Sequence, residues 1–345
     1  MNSYPTNYQY LYGEPSCSAQ IRCLNEDFQV TEIPAFEPDG EGEHFYFKIK
    51  KNGENSDWVA KQLARFFDVT SKEVGYAGKK DRHAITVQWF SVCLPGVKAV
   101  SIEAFNTPTI TVLEVKKHSR KLRTGALKGN KFSLVLKNVS DDKALAQRLA
   151  FIEKGVPNYF GEQRFGINGA NLQRGIALLK AEFKEKNRTK KGLYISAVRS
   201  WFFNHVLSKR LEQETYEKVI AGDVVMLDGS KSHFLVDDIA QITQRMIDYD
   251  LHITGPMLGR GRSIVAADSE IWEQELLEPY AAIVERLAFM GLSQERRSLR
   301  LLPKNLTSVC CSAGTWQISF ELPPGSFATS VLRELCLHTQ GNSES

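Results

Sequence analysis

No stretch of the 345 residues approaches the roughly 18 uninterrupted apolar positions that a membrane-spanning helix needs, so no membrane span is expected. Cysteine is sparse: Cys17, Cys23, Cys93, Cys310, Cys311 and Cys336 are scattered without CxxC spacing. That pattern excludes a zinc ribbon and a disulfide framework, and it fits a reducing compartment. Internal repeats and low-complexity segments are missing. A strong charge imbalance is missing too, since 44 Lys and Arg against 40 Asp and Glu leave a net charge of +4. The opening residues carry Tyr4, Tyr8, Tyr10 and Tyr12 but no apolar core, unlike a secretory signal. The expectation is a cytoplasmic protein with ordinary globular composition.

What the chain does hold is charge in clusters. Between Lys116 and Lys131 lie Lys116, Lys117, Arg120, Lys121, Arg123, Lys128 and Lys131, with no acid among them. A second basic run spans Lys184 to Lys191. Such clusters can neutralise phosphates whatever the global balance. The same composition also suits a solvated loop.

The first half alternates in the manner of strands. Ile21 to Ile33, His44 to Lys50, Ile85 to Leu94, Thr109 to Val115 and Lys131 to Val139 all read as extended. Trp58 to Phe67 has helical spacing, with Ser56 as its expected N-cap. Asp141 or Asp142 should cap a helix through Leu145, Leu149 and Ile152, stopped by Gly155 and Pro157. The texture then turns helical near 169–184, 193–213 and 269–290, with a strand-like region at 224–236. Strand character returns from Leu301 to Glu321, before a hard turn at Pro323-Pro324-Gly325 and a short last helix. These elements predict a mixed α+β domain built from both chain ends, with a second domain inserted from near Gly155.

One stretch concentrates chemistry: Gly75-Tyr76-Ala77-Gly78-Lys79-Lys80-Asp81-Arg82-His83-Ala84. It is not a Walker A loop, because Glu73 falls where the first glycine belongs and Lys80 where Ser or Thr belongs. A lone Asp81 and His83 do not make a metal ligand set. Two readings remain for Asp81. One is a surface turn with local ion pairs. The other is a nucleophile: a carboxylate is ionised near neutral pH, so it needs aim and desolvation but no activating base.

The stretch GYAGKKDRHAITVQWFS resembles the signature around the catalytic aspartate of the TruD pseudouridine synthases. Four further segments resemble motifs of that family, in the same order. They are Glu26-Asp27-Phe28-Gln29-Val30 with Glu32, Gly129-Asn130-Lys131-Phe132, the segment from Pro157 to Gly166 (PNYFGEQRFG), and Leu322-Pro323-Pro324-Gly325-Ser326-Phe327-Ala328-Thr329. The resemblance runs from about residue 15 to 338.

This resemblance implies a pseudouridine-synthase catalytic domain, a largely antiparallel sheet with flanking helices, from residues 1–154 and 303–345. It implies an inserted domain of α/β character from 155–302, forming the other wall of an RNA cleft. Asp81 would be the nucleophile that isomerises a uridine of folded tRNA, uridine 13 in the D-arm region. Whether it attacks C1′ or C6, or first takes a ribose proton, stays open. Arg22 would be its basic partner, holding the carboxylate bidentately, with Lys79, Lys80 and Arg82 as alternatives in that role. Phe28, Asn130, Phe132 and Phe327 would contact the substrate, whose base must leave the stack before chemistry. Lys79, Lys80, Arg82, Lys116, Lys117, Arg120, Lys121, Arg123 and Lys128 become candidates for the RNA backbone, and Lys184 to Lys191, Arg260 and Arg262 for its contacts on the inserted domain. The reaction changes no oxidation state and imports no group, so neither metal nor organic cofactor is expected. The partner is tRNA, recognised by shape and exposed bases, and the enzyme should be a monomer.

Two other classes fit parts of the pattern. A non-catalytic RNA-binding or chaperone module would keep the basic run without the Asp81 constellation. An enzyme of small-molecule glycosidic chemistry would need a second carboxylate across the bond, and the Asp81 stretch offers one only.

Overall fold

The structure is a computed structural model that describes residues 4–341. The chain divides into two compact units. The first comprises residues 15–153, 303–328 and 335–341. The second gathers 154–302 together with 329–334 and 4–14.

The first unit is built on an eight-stranded sheet. Its strands, in chain order, are β1 (Phe28–Pro34), β2 (His44–Asn52), β3 (Val74–Tyr76), β4 (Ile85–Cys93), β5 (Ile110–His118), β6 (Leu127–Leu136), β7 (Lys304–Ser312) and β8 (Thr315–Leu322). They lie side by side as β7-β8-β6-β1-β4-β2-β5, with β3 on β4. Only β1 and β4 run parallel. A two-stranded parallel pair, Ser18–Ile21 with Leu337–Gln340, joins the two ends of the unit.

Alternation explains the packing. In β2 the side chains of Phe45, Phe47, Ile49 and Lys51 fall on one face, all buried. The aromatic and aliphatic members pack with Val59, Leu63, Phe90 and Val92, which puts helix α1 (Ser56–Phe66) over that face. Phe28, Val30 and Glu32 share a face of β1 in the same way. Register then sets Val30 opposite Phe132 and Glu32 opposite Asn130.

Several expected elements shift. Ser56 is the first residue of α1, not its cap; Asn55 precedes the helix and makes no side-chain cap bond. The Ser56 hydroxyl is committed elsewhere, as described below. Asp141 caps α2 (Asp142–Ile152) by accepting from the Ala144 amide, while Asp142 accepts from the Gly314 amide and Trp316 Nε1. The strand expected at Lys131 starts earlier, at Leu127, and takes in Gly129, where a Cβ would sit 2.5 Å from the Leu322 carbonyl oxygen.

The second unit mixes helices with a four-stranded sheet. Its longest helix, Arg188–Glu212, buries Trp201, Phe202 and Phe203 and starts five residues before the expected 193. The strand-like region at 224–236 is two strands, Val224–Leu227 and His233–Leu235. A further strand, Leu251–Met257, was not expected. It is buried on both sides, and Gly255-Pro256 cut short the alternation that Leu251-His252-Ile253-Thr254 begins.

Candidate active site

Asp81 lies in the loop between β3 and β4, and the loop backbone is fastened at three points. The Ser56 hydroxyl donates to Gln88 Oε1 (2.6 Å) and accepts from the Lys80 amide (3.0 Å). Gln88 Nε2 in turn donates to the Gly78 carbonyl (3.0 Å). Lys51 Nζ donates to the Glu54 carbonyl (2.6 Å) and to the carbonyl of Asp81 itself (3.3 Å). Ser56, Gln88 and Lys51 are all buried, so these bonds form in a low-dielectric setting where they hold geometry firmly. Burial pushes the Lys51 ammonium down to about 8, against the opposing pull of Asp81.

The Asp81 carboxylate stands out from this anchored loop. Its side chain is 44% exposed, and Oδ2 lies 2.9 Å from a terminal nitrogen of Arg22. That contact is single, where the sequence led one to expect a bidentate fork. The Arg22 side chain is 9% exposed and its guanidinium carbon sits over the Phe28 ring, 3.9 Å from the centroid. Desolvation lowers the Arg22 pKa and Asp81 draws it back up. Arg22 also holds φ at +55°, a left-handed backbone that a bulky residue adopts at a cost.

Beneath Arg22 the aromatic contacts continue. Phe28 meets Phe132 edge to face at 6.3 Å, and Phe132 stacks on Phe320 at 5.5 Å. Phe28 and Phe132 are thus buried and act as the floor under the guanidinium. Asn130, two residues along the same face of β6, has its Oδ1 buried without a hydrogen-bond partner among the described residues. Phe327 is half-buried in the segment that leaves the sheet after Leu322, the residue opposite Asn130.

The basic candidates separate. Lys80 does not face solvent: its ammonium is 5% exposed and pairs with Glu32 at 2.8 Å, while the other Glu32 oxygen accepts from the Trp89 amide. Lys79 pairs with Asp57 at 2.6 Å on the surface, and Arg82 Nε donates to the Gly53 carbonyl. In the 116–131 run, Lys116 pairs with Glu114, Lys117 donates to the Val97 carbonyl, and Lys121 donates to the Lys72 carbonyl. Arg120, Arg123, Lys128 and Lys131 are exposed and make no ion pair among the described residues. In the second unit Lys184, Lys186, Arg188, Lys190, Lys191, Arg260 and Arg262 are exposed as well. Among the described residues no group of three or more His, Cys, Asp or Glu could hold a metal ion, and no helix is long and apolar enough to cross a membrane.

Lys51 and Gln88 are the anchors that sequence reasoning missed, and Lys51 carried a signal. Lys51 continues the period-two register of Phe45, Phe47 and Ile49, which assigns it to the buried face.

The fold is that of a solved structure from Methanosarcina mazei that carries the name tRNA pseudouridine synthase D (TruD). The two share 22% identity with a TM-score of 0.72, over 97% of this chain and 96% of that one. Residues 6–188 and 185–335 match the family described as tRNA pseudouridine synthase D (TruD). Among curated relatives, the tRNA pseudouridine synthase D of Hydrogenovibrio crunogenus is 44% identical over 96% of both chains. That of Colwellia psychrerythraea is 43% identical over 94% of this chain and 92% of its own. The chain belongs to the TruD family.

Proposed function

We propose that this protein is a tRNA pseudouridine synthase in which Asp81 is the nucleophile and uridine 13 of tRNA the target. Membership of the TruD family supports isomerisation of a tRNA uridine. The observation that carries the residue-level reading is an exposed carboxylate aimed by a buried arginine, above a floor of Phe28 and Phe132.

In the reaction the N1–C1′ bond breaks, the uracil turns, a C5–C1′ bond forms, the C5 hydrogen leaves as a proton, and N1 takes a proton up. Asp81 holds the fragments through a covalent adduct, which divides one hard exchange into easier steps. Arg22 fixes the carboxylate and balances its charge. The unpartnered Oδ1 of Asn130 suits the N3–H of an extruded uracil, since a buried acceptor is rarely left without a donor. Phe327 is a second contact for the base. Arg120, Arg123 and Lys128, exposed and without an ion pair among the described residues, serve as phosphate contacts, and Lys80 serves the loop instead. The second unit adds contacts through its exposed cations. The balance of the reaction asks for no cofactor.

Transcripts carrying tritium at uracil C5 test the target directly, because making the new bond expels that hydrogen. Release is expected from wild-type tRNA and lost when uridine 13 alone is replaced by cytidine. Undiminished release from the substituted transcript means another uridine is the target.

A further inference from the structure

Beyond the catalytic loop, the first unit carries an aromatic shelf that the chemistry above does not use. The chain leaves β1 through Pro34-Ala35-Phe36, and Phe36 is 39% exposed, high for a phenylalanine. Its ring stacks on His118 at 4.8 Å with 23° between planes. Tyr46 braces both from the side, 5.0 Å from His118 and 6.3 Å from Phe36. The His118 ring is held by its Nδ1, within 3.0 Å of Asp39 Oδ2, and Asp39 also accepts from the Ser119 hydroxyl at 2.7 Å. The Tyr46 hydroxyl donates to the Arg120 carbonyl, which fixes the chain just past the shelf.

This shelf forms part of the lining of an open groove of about 660 Å³, whose other walls include Arg120 and Arg123. Both guanidinium groups are exposed and make no ion pair among the described residues. Phe36 also lines an adjoining narrow crevice that reaches Glu32, the residue that anchors Lys80 beside Asp81. A fixed aromatic plane flanked by unpaired guanidinium groups is the arrangement that holds single-stranded nucleic acid: a base stacks and its phosphates are neutralised.

We infer that this groove binds a second, unpaired nucleotide of the RNA, distinct from the target uridine, with its base stacked on Phe36 and its phosphates met by Arg120 and Arg123. The inference rests on the reading of the chain as an enzyme of tRNA. Its role is to fix the register of the RNA, so that the target presents itself at Asp81. An aromatic face accepts any base, so the contact reads an exposed nucleotide more than its identity.

The test uses the full chain and a tRNA transcript. Ultraviolet cross-linking of the Asp81→Asn protein, with peptide mapping, should attach Phe36 or His118 to a nucleotide other than the target uridine. Phe36→Ala should raise the tRNA Kd about tenfold, the scale of one lost base stack, and the loss should appear in KM more than in kcat. Phe36→Leu should show the same loss, because it keeps apolar bulk and removes the plane. Full affinity in Phe36→Leu with loss in Phe36→Ala means mere packing and overturns the inference. So do wild-type Kd and KM in both variants, or a cross-link that maps to the target uridine. Any of these can occur while wild type still releases tritium, which leaves the proposed function standing. If cross-link and affinity losses appear but wild type releases no tritium, the groove stands and the isomerase reading falls.

Discussion

At the scale of single residues, the candidate site is a graded series from exposed to buried. Asp81 is open, Arg22 is nearly covered, and the groups that hold them are sealed. The buried pair of Glu32 and Lys80 is the most sensitive of these. Removing one partner of such a pair leaves a charge without compensation, at a cost of about 3–5 kcal/mol. Glu32→Gln should therefore lower the thermal midpoint by several degrees and loosen the loop at Lys80. Thermal unfolding with and without the substitution checks this, and an unchanged midpoint would mean the ammonium finds water or another acceptor. Phe132 calls for a related caution in design. It is packed between Phe28 and Phe320, so truncation to Ala empties core volume as well as any contact with a base. How much of this was legible varied by residue. The motif around Asp81 and the position of Arg22 were readable because they match a family pattern. Lys80 was misread as a phosphate contact, because charge in a loop sequence says nothing about which acid in a distant strand will meet it.

At the scale of elements, register does most of the positioning. Pairing β1 with β6 sets Glu32 beside Asn130, and pairing β6 with β8 sets Leu322 beside Asn130. Gly129 allows the second of these, since a Cβ would press on the Leu322 carbonyl. Gly129→Ala should cost roughly 1–3 kcal/mol through overpacking and shift Asn130 out of place. The expected outcome is a lower denaturation midpoint and a reduced rate of tritium release at saturating tRNA. A variant that matches wild type in both would show that the two strands can part at no cost. Most strands and helices were legible from alternation and helical spacing. The failures have physical causes: Ser56 was read as a cap because local chemistry favours it there, whereas a tertiary partner, Gln88, takes its hydroxyl. Leu251–Met257 was missed because Gly255-Pro256 reads as a turn and cuts its alternation short.

At the scale of the molecule, the two units carry different burdens. In the second unit His205, half-buried, packs against Trp201, at 4.9 Å, and Tyr280. Desolvation, with Lys209 adding to it, pushes that imidazole from 6.5 down to about 4. The unfolded chain therefore takes up a proton that the folded unit refuses. The stability tied to His205 is complete above about pH 6.5 and is lost as pH falls towards 4. Denaturant titrations across that range should show the second unit weakening, and His205→Phe should flatten the trend. An unchanged slope in the variant would assign the acid sensitivity to other groups.

The central claim is that Asp81 makes and breaks the bonds. Wild-type protein and Asp81→Asn, matched in fold and in tRNA affinity, should be compared for tritium release from C5-labelled tRNA. The variant removes the nucleophile and keeps the shape, so release should fall to background while the tRNA Kd stays within about twofold. Sustained release by Asp81→Asn would contradict the account and move the chemistry to another residue of the same loop.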